Sequence, residues 1–265
     1  MDPIILISLA ASVSLAMMLA WAVQLITHKS GWIDTLWTFA VGFGGIAAAL
    51  LPDAAANPSR RIAVAVLVAI WAARLGLHIA GRTHGGGDDP RYAALQEEQG
   101  KAWPTYLFFM LQVQALAAFV LVFAVRLAAV NPAAFPQVTD YAGITLLLIA
   151  FAGEATADAQ LARFSKANPG RSAVCDIGLW QWSRHPNYFF EWLGWCAWAV
   201  LAIGPAPYAW AALIAPAWMY VLLVYISGIP PLEKHMLATR PEAFKAYQAR
   251  VNAFFPGPQH KERNP

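Results

Sequence analysis

Long apolar runs separated by short polar stretches dominate the chain. Seven runs can be placed, at roughly 3–26, 32–51, 62–81, 104–130, 138–162, 188–204 and 207–228. Each approaches the ~20 residues that an α-helix needs to cross the hydrocarbon of a bilayer. Pro3, Pro52, Pro104, Pro132, Pro205 and Pro207 punctuate their ends, where a missing N–H costs least. Residues 229–251 are different. Phe244, Tyr247 and Val251 recur at helical spacing while Lys245 and Arg250 fall elsewhere, which predicts an amphipathic tail helix opened by Pro241. The pattern predicts an all-α integral membrane protein. The expected form is a seven-transmembrane-helix bundle forming a single domain over 1–265, with a cytoplasmic C-terminal amphipathic helix.

Composition agrees. Of 265 residues, 59% are hydrophobic and 12% charged, against roughly 25% charged in an ordinary soluble domain. The net charge is +3, and the basic residues sit in loops. That distribution excludes a nucleic-acid stripe and instead sets orientation. Lys29, Arg82, Arg91, Lys101, Arg163, Lys166, Arg171, Arg184, Lys234, Arg240, Lys245, Arg250, Lys261 and Arg263 fall on one side of the spans. Arg60, Arg61 and Arg126 fall on the other. The expectation is an N-terminus outside and a C-terminus inside, in a bacterial inner membrane. Asp2 with no basic residue beside it marks the first run as a retained helix rather than a cleaved leader. Cys175 and Cys196 lack metal-ligand spacing and are read as unpaired small residues.

Ionisable groups within the apolar runs are costly and point to function or to paired structure. They are Asp34, Arg74, His78, Glu154, Asp158 and Glu191. A polar cavity open to the cytoplasm would explain them together; paired charges pinning helices are the plainer account. The densest polar segment is Gly178-Leu-Trp-Gln-Trp-Ser-Arg-His-Pro-Asn-Tyr-Phe-Phe-Glu191, at a membrane boundary. Asn187 and Glu191 share a helix face there. Arg and His donors suit phosphates, and Asn suits an amide. Upstream, Arg163, Lys166 and Arg171 form a basic loop able to meet a polyanion. Gly42-Phe-Gly-Gly-Ile-Ala47 imitates a dinucleotide fingerprint. It lies inside an apolar run without a preceding strand, so helix packing is expected of it. The histidines at 28, 78, 84, 185, 235 and 260 form no metal-binding pattern.

The Gly178–Glu191 segment resembles the signature of the steroid 5-alpha-reductase family and its bacterial relatives. His78-Ile-Ala-Gly-Arg82-Thr83 is similar to that family's third-helix motif. Asp88-Asp-Pro-Arg-Tyr92 and Ser227-Gly-Ile-Pro-Pro-Leu-Glu-Lys234 are similar to its bacterial branch. The resemblance covers roughly 30–255 and implies NADPH-dependent reduction of a carbon–carbon double bond conjugated to a ketone, with a steroid or other lipophilic enone as substrate. It implies cofactor contacts at Asp158, Arg163, Lys166, Arg171, Ser183, Arg184, His185, Asn187, Tyr188 and Glu191. It further implies cofactor contacts at Glu233 and Lys234, which stand where eukaryotic members carry His and Tyr. It implies ketone binding at Asp34, expected to act as a buried protonated acid. His78 or Tyr92 would assist, because Ile79 replaces the family Tyr. The competing reading is a membrane methyltransferase using S-adenosylmethionine. Isoprenylcysteine and phospholipid methyltransferases share an Arg-His-Pro-x-Tyr element and a downstream Glu pair, here Glu233-Lys234. A non-catalytic lipid-binding protein would leave the polar cluster unexplained.

Overall fold

A computed structural model describes residues 2–54, 56–85, 90–170 and 173–260. Among the described residues it is mostly helical, with no strand. Helix α1 runs Pro3–Thr27, capped by Asp2 Oδ1, which accepts from Ile4 N at 2.8 Å. The others are α2 (Gly31–Leu50), α3 (Pro58–Gly85), α4 (Pro90–Gln99), α5 (Trp103–Ala129), α6 (Val138–Ala167), α7 (Pro186–Ala202), α8 (Ile214–Val221), α9 (Ile229–Thr239) and α10 (Pro241–Arg250). Six helical stretches of the described residues are long and apolar enough to cross a membrane. They are Pro3–Thr27, Gly31–Leu50, Pro58–Gly85, Arg91–Ala129, Val138–Ala167 and Pro207–Thr239. Ile4, Ile7, Leu15, Leu19, Phe109, Val113 and Leu116 are exposed on α1 and α5. Apolar surface of that kind belongs against lipid, and the chain is an integral membrane protein.

The structure departs from the expected elements in three places. The stretch expected at 188–204 is α7, 17 residues long as expected, whereas the stretch expected at 207–228 is a 3-10 segment (Pro207–Leu213), α8 and a π-helical segment (Leu222–Ile226). The expected single tail helix over 229–251 is two helices. The chain turns at Arg240, at φ −145° and ψ 56°, because the residue before a proline is driven out of the helical region. The anticipated apolar face of Phe244, Tyr247 and Val251 is nonetheless buried, against Val174, Met236 and Leu237. Third, α4 occupies what reads as a polar loop.

The chain divides into two compact units. Unit 1 is 1–141 with 198–215, and unit 2 is 142–197 with 216–265. In unit 1, α1, α2, α3 and α5 pack on one another. Small residues permit close approach. A Cβ on Gly42 would collide with that of Ala72, and one on Gly45 would lie 2.9 Å from Val68. The glycine run therefore packs α2 against α3 and opens no phosphate loop. A second cluster gathers Met17, Ala20, Ile33, Tyr92, Trp103, Leu107, Leu111 and Ala115.

Arg60, Arg61 and Arg126 are committed to this fold. Helix α2 ends with carbonyls that have no partner of their own. Arg126 donates to Ala48 O at 2.8 Å and Leu51 O at 2.7 Å, and Arg61 to Ala49 O at 3.1 Å. Arg60 is paired with Asp140 at 2.6 Å, each side chain 1% exposed. It also donates to Asn131 O and Ala134 O. Removing one member of a buried pair strands the other charge. Asp140→Ala should therefore lower unfolding free energy by about 3–5 kcal/mol, read by denaturant titration in detergent. A loss under about 1 kcal/mol, the range of exposed pairs, would contradict this account. Arg60→Leu with Asp140→Leu should lose less than the single variant.

Candidate functional site

Unit 2 holds a site assembled by the Gly178–Glu191 segment. Gly178 has φ +57°, and a Cβ there would run into the Gln160 amide. The turn it makes lets Leu179 N donate to Gln160 Oε1 at 3.0 Å. Trp180 Nε1 donates to Ala157 O at 3.0 Å, which fixes the following 3-10 turn (Gly178–Gln181) on α6. Ser183 is fully buried. Its hydroxyl donates to Phe254 O at 2.8 Å and accepts from His185 N at 3.1 Å. Arg184 donates from its backbone to Asn252 O at 2.8 Å, and from its guanidinium to Val251 O at 2.5 Å. The segment is thus clamped by the chain that follows α10.

Glu233, on α9, ties the site together. Its Oε1 accepts from Arg184 Nε at 2.8 Å and from His185 Nε2 at 2.9 Å, and its Oε2 accepts from Gln248 Nε2 at 2.7 Å. A carboxylate only accepts, so the His185 proton on this side sits on Nε2. Burial nevertheless dominates over Glu233 and lowers the pKa of His185 below its usual 6.5. Its ring stacks on Tyr188 with centroids 5.5 Å apart. Tyr247 Oη donates to Trp180 O at 2.6 Å.

Beside these residues lies a cavity of about 500 Å³. Phe164, Trp180, Phe244 and Tyr247 give it aromatic walls. Arg184, His185 and Arg240 supply its strongest polar groups, and among the described residues its lining contains neither Asp nor Glu. Of the cofactor residues expected from sequence, Arg184 and His185 line it, and Glu233 stands behind them. Asn187 instead donates to Asp158 Oδ1 at 3.4 Å. Glu191 is buried and accepts from Trp195 Nε1 at 2.9 Å. Arg163, Lys166 and Lys234 are exposed. Arg171 lies outside the described residues. Nothing in the sequence singles out Arg240, Gln248 or Tyr247 as site residues, and Cys175 stands there only as an unpaired small residue. Cys175 is buried and lines the cavity. Arg240 and Gln248 reach the site only because the chain folds back at Arg240, and Pro241 is the sole sequence sign of that turn.

A separate cluster lies in unit 1. Asp34, on the first turn of α2, accepts from Arg91 NH2 at 2.5 Å through one oxygen and from Tyr92 Oη at 3.0 Å through the other. Gln114, on α5, donates to Tyr92 Oη at 3.3 Å. Asp34 is thus the acceptor of the group, and the hydroxyl belongs to Tyr92. His78 is exposed on α3.

A family model described as "Protein of unknown function (DUF1295)" matches residues 20–251. The chain belongs to the DUF1295 family. It is also similar to an uncharacterized protein of Schizosaccharomyces pombe, 24% identical over 269 residues, covering 89% of this chain and 75% of the relative. No solved structure matches it. The DUF1295 match encloses both polar clusters, from Asp34 to Gln248.

The depressed pKa of His185 has a pH signature. The unfolded chain takes up this proton near pH 6.5, whereas the folded DUF1295 chain resists it. The stabilisation is complete above about 6.5 and is lost as pH falls toward the folded value. Melting temperature should fall across that window, and His185→Gln should flatten the fall. An unchanged profile in the variant would show that His185 is not the group responsible.

Proposed function

We propose that the protein is an NADPH-dependent reductase of lipophilic enones, with 3-oxo-4-ene steroids as the model substrate class. The observation that carries this reading is the unit 2 cavity, aromatic-walled, lined by two arginines and, among the described residues, by no carboxylate. Its volume lies in the range of small-molecule sites, about 300–1,000 Å³. Aromatic walls suit an adenine ring, and guanidinium groups suit phosphate oxygens. The residues present therefore fit a phosphorylated dinucleotide better than a sulfonium, whose positive charge would meet Arg184 and Arg240. The DUF1295 family is a membrane family related to steroid 5-alpha-reductases, which supports the same reading.

NADPH, when bound, supplies the hydride that adds to the β carbon of the enone. The chain's own residues hold the cofactor. Arg184 and Arg240 meet phosphate oxygens, while Glu233 fixes Arg184 and takes the one N–H of His185, whose ring helps to wall the cavity. Asn187 and Asp158 offer amide and carboxylate groups to the carboxamide end, near Glu191. On this reading α7 is a seventh span, the N-terminus lies outside, and the C-terminal helices face the cytoplasm of a bacterial cell.

One observation favours the methyltransferase alternative. His185 and Arg184 of the Arg-His-Pro element contact a downstream glutamate, Glu233. A titration separates the two. NADPH at about 100 times its dissociation constant should add roughly 2.7 kcal/mol to stability, and S-adenosylmethionine should add nothing. Arg240→Ala should weaken NADPH binding about 10- to 100-fold, as expected when a charged hydrogen bond worth about 1.5–3 kcal/mol is lost. Stabilisation by S-adenosylmethionine alone would transfer the site to methyl transfer.

A further inference from the structure

Two residues of the unit 2 site share one oxygen. Arg184 Nε at 2.8 Å and His185 Nε2 at 2.9 Å both reach Glu233 Oε1, so guanidinium and imidazole lie side by side. What each has left to offer follows from the bonds it already makes. Arg184 NH1 donates to Val251 O at 2.5 Å and to Gln248 O at 3.4 Å. Among the described residues NH2 has no partner, and its two N–H groups stay unspent. His185 gives its Nε2 proton to a carboxylate that can only accept. Nδ1 of the neutral ring is therefore a lone pair, and among the described residues nothing donates to it. The His185 side chain is only 4% exposed. Neither NH2 nor Nδ1 is sealed inside the protein, and both residues line the cavity.

A donor pair beside an acceptor calls for a ligand with the opposite pair, an oxyanion next to an O–H. An ionised phosphate alone satisfies Arg184 and offers His185 nothing, because its oxygens only accept. A ligand that covers Nδ1 without supplying a proton leaves a buried acceptor unpaired, which is how a polar site rejects an analogue lacking one hydroxyl. NADPH carries a phosphate and a free hydroxyl on adjacent carbons at one place. That place is the adenosine ribose, with the phosphate on C2′ and the hydroxyl on C3′.

We propose that Arg184 and His185 read the 2′-phosphate and the 3′-hydroxyl of the adenosine ribose, with His185 Nδ1 accepting from the hydroxyl. The inference rests on the reductase reading and names the part of the cofactor that this corner of the cavity holds. Glu233 sets both roles, since it orients the guanidinium and fixes the imidazole tautomer. Protonation of His185 would turn an N–H against the ligand O–H, so the neutral ring is the binding form. Burial outweighs Glu233 and holds the ring neutral. The groups facing His185 are Glu233 from α9, Arg184 from its own segment and Tyr188 stacked on it from α7. Cys175, Arg240 and Tyr247 line the same cavity.

The test is a calorimetric titration of the full chain in detergent with adenosine 2′,5′-bisphosphate and with its 3′-deoxy analogue. Loss of the hydroxyl should weaken binding to the wild-type protein about tenfold, as expected when a buried acceptor is left unpaired. His185→Gln keeps a donor for Glu233 and removes the acceptor from the cavity. It should bind the two compounds within about twofold of each other. As pH falls below about 6.5, the wild-type protein should lose affinity for the bisphosphate more steeply than His185→Gln. The phosphates of the probe titrate alike in both proteins, so the difference reports the imidazole. Equal affinity of the wild-type protein for the two compounds overturns the proposal, whether or not the variant folds. So does a wild-type protein that gains affinity relative to the variant as pH falls, the mark of an imidazolium meeting phosphate. NADPH bound while the bisphosphate is refused overturns it as well. A protein that binds neither, or binds S-adenosylhomocysteine in their place, removes the reductase reading itself, and this inference with it.

Discussion

A polar group carried into an apolar helix bundle has to find its partner inside the same bundle, since no water competes for it there. This constraint organises both units. In unit 1 it brings Arg60 to Asp140, and it turns Arg61 and Arg126 onto the carbonyls that end α2. In unit 2 it brings Arg184, His185 and Gln248 to the single carboxylate of Glu233. With charged residues at 12% of the chain, each such pairing also fixes which helices can be neighbours. Helix packing alone, built from alanine, valine and glycine surfaces, would distinguish registers far less sharply.

The same constraint explains which parts of the structure were legible in sequence. The apolar runs gave their helices to within a few residues, because a long run has no other stable form in a bilayer. The glycine run at 42–45 was readable as packing for the same reason: a phosphate loop needs a preceding strand, and none was indicated. Helix α4 was not legible. Its sequence, Pro-Arg-Tyr-Ala-Ala-Leu-Gln-Glu-Glu-Gln, is rich in polar residues, and Tyr92 and Leu95 pack inward. The break at Arg240 was half legible, since Pro241 was read as the start of a helical turn but not as the end of another helix.

For the candidate site, the residue types were legible and their duties were not. Asn187 and Glu191 were read correctly as sharing a face, a matter of helical period. That Asn187 reaches Asp158, and that Glu191 accepts from Trp195, depends on how α6 and α7 lie. Asp34 stood out as a carboxylate in an apolar run. Its partner Arg91 was counted instead among the loop cations that set orientation. A charge balance drawn along the chain could not link residues 57 positions apart.

A motif dense in polar residues invites the assignment of all of them to a ligand. The geometry of the Gly178–Glu191 segment argues against that economy. Ser183 holds Phe254 O, the Arg184 backbone holds Asn252 O, and the Arg184 guanidinium reaches Val251 O. These bonds fasten the segment to the chain after α10. Much of the signature is therefore the means by which the cavity is built. Among the groups left to recognise a ligand are some that a motif search passes over. Arg240 enters from a broken helix, Phe164 from the end of α6, and Cys175 from the intervening loop. Chemical specificity in this fold then depends on unit 2 closing correctly around Glu233. A substitution at Gln248 or Ser183 acts on the cavity through that closure, without touching anything the cavity holds.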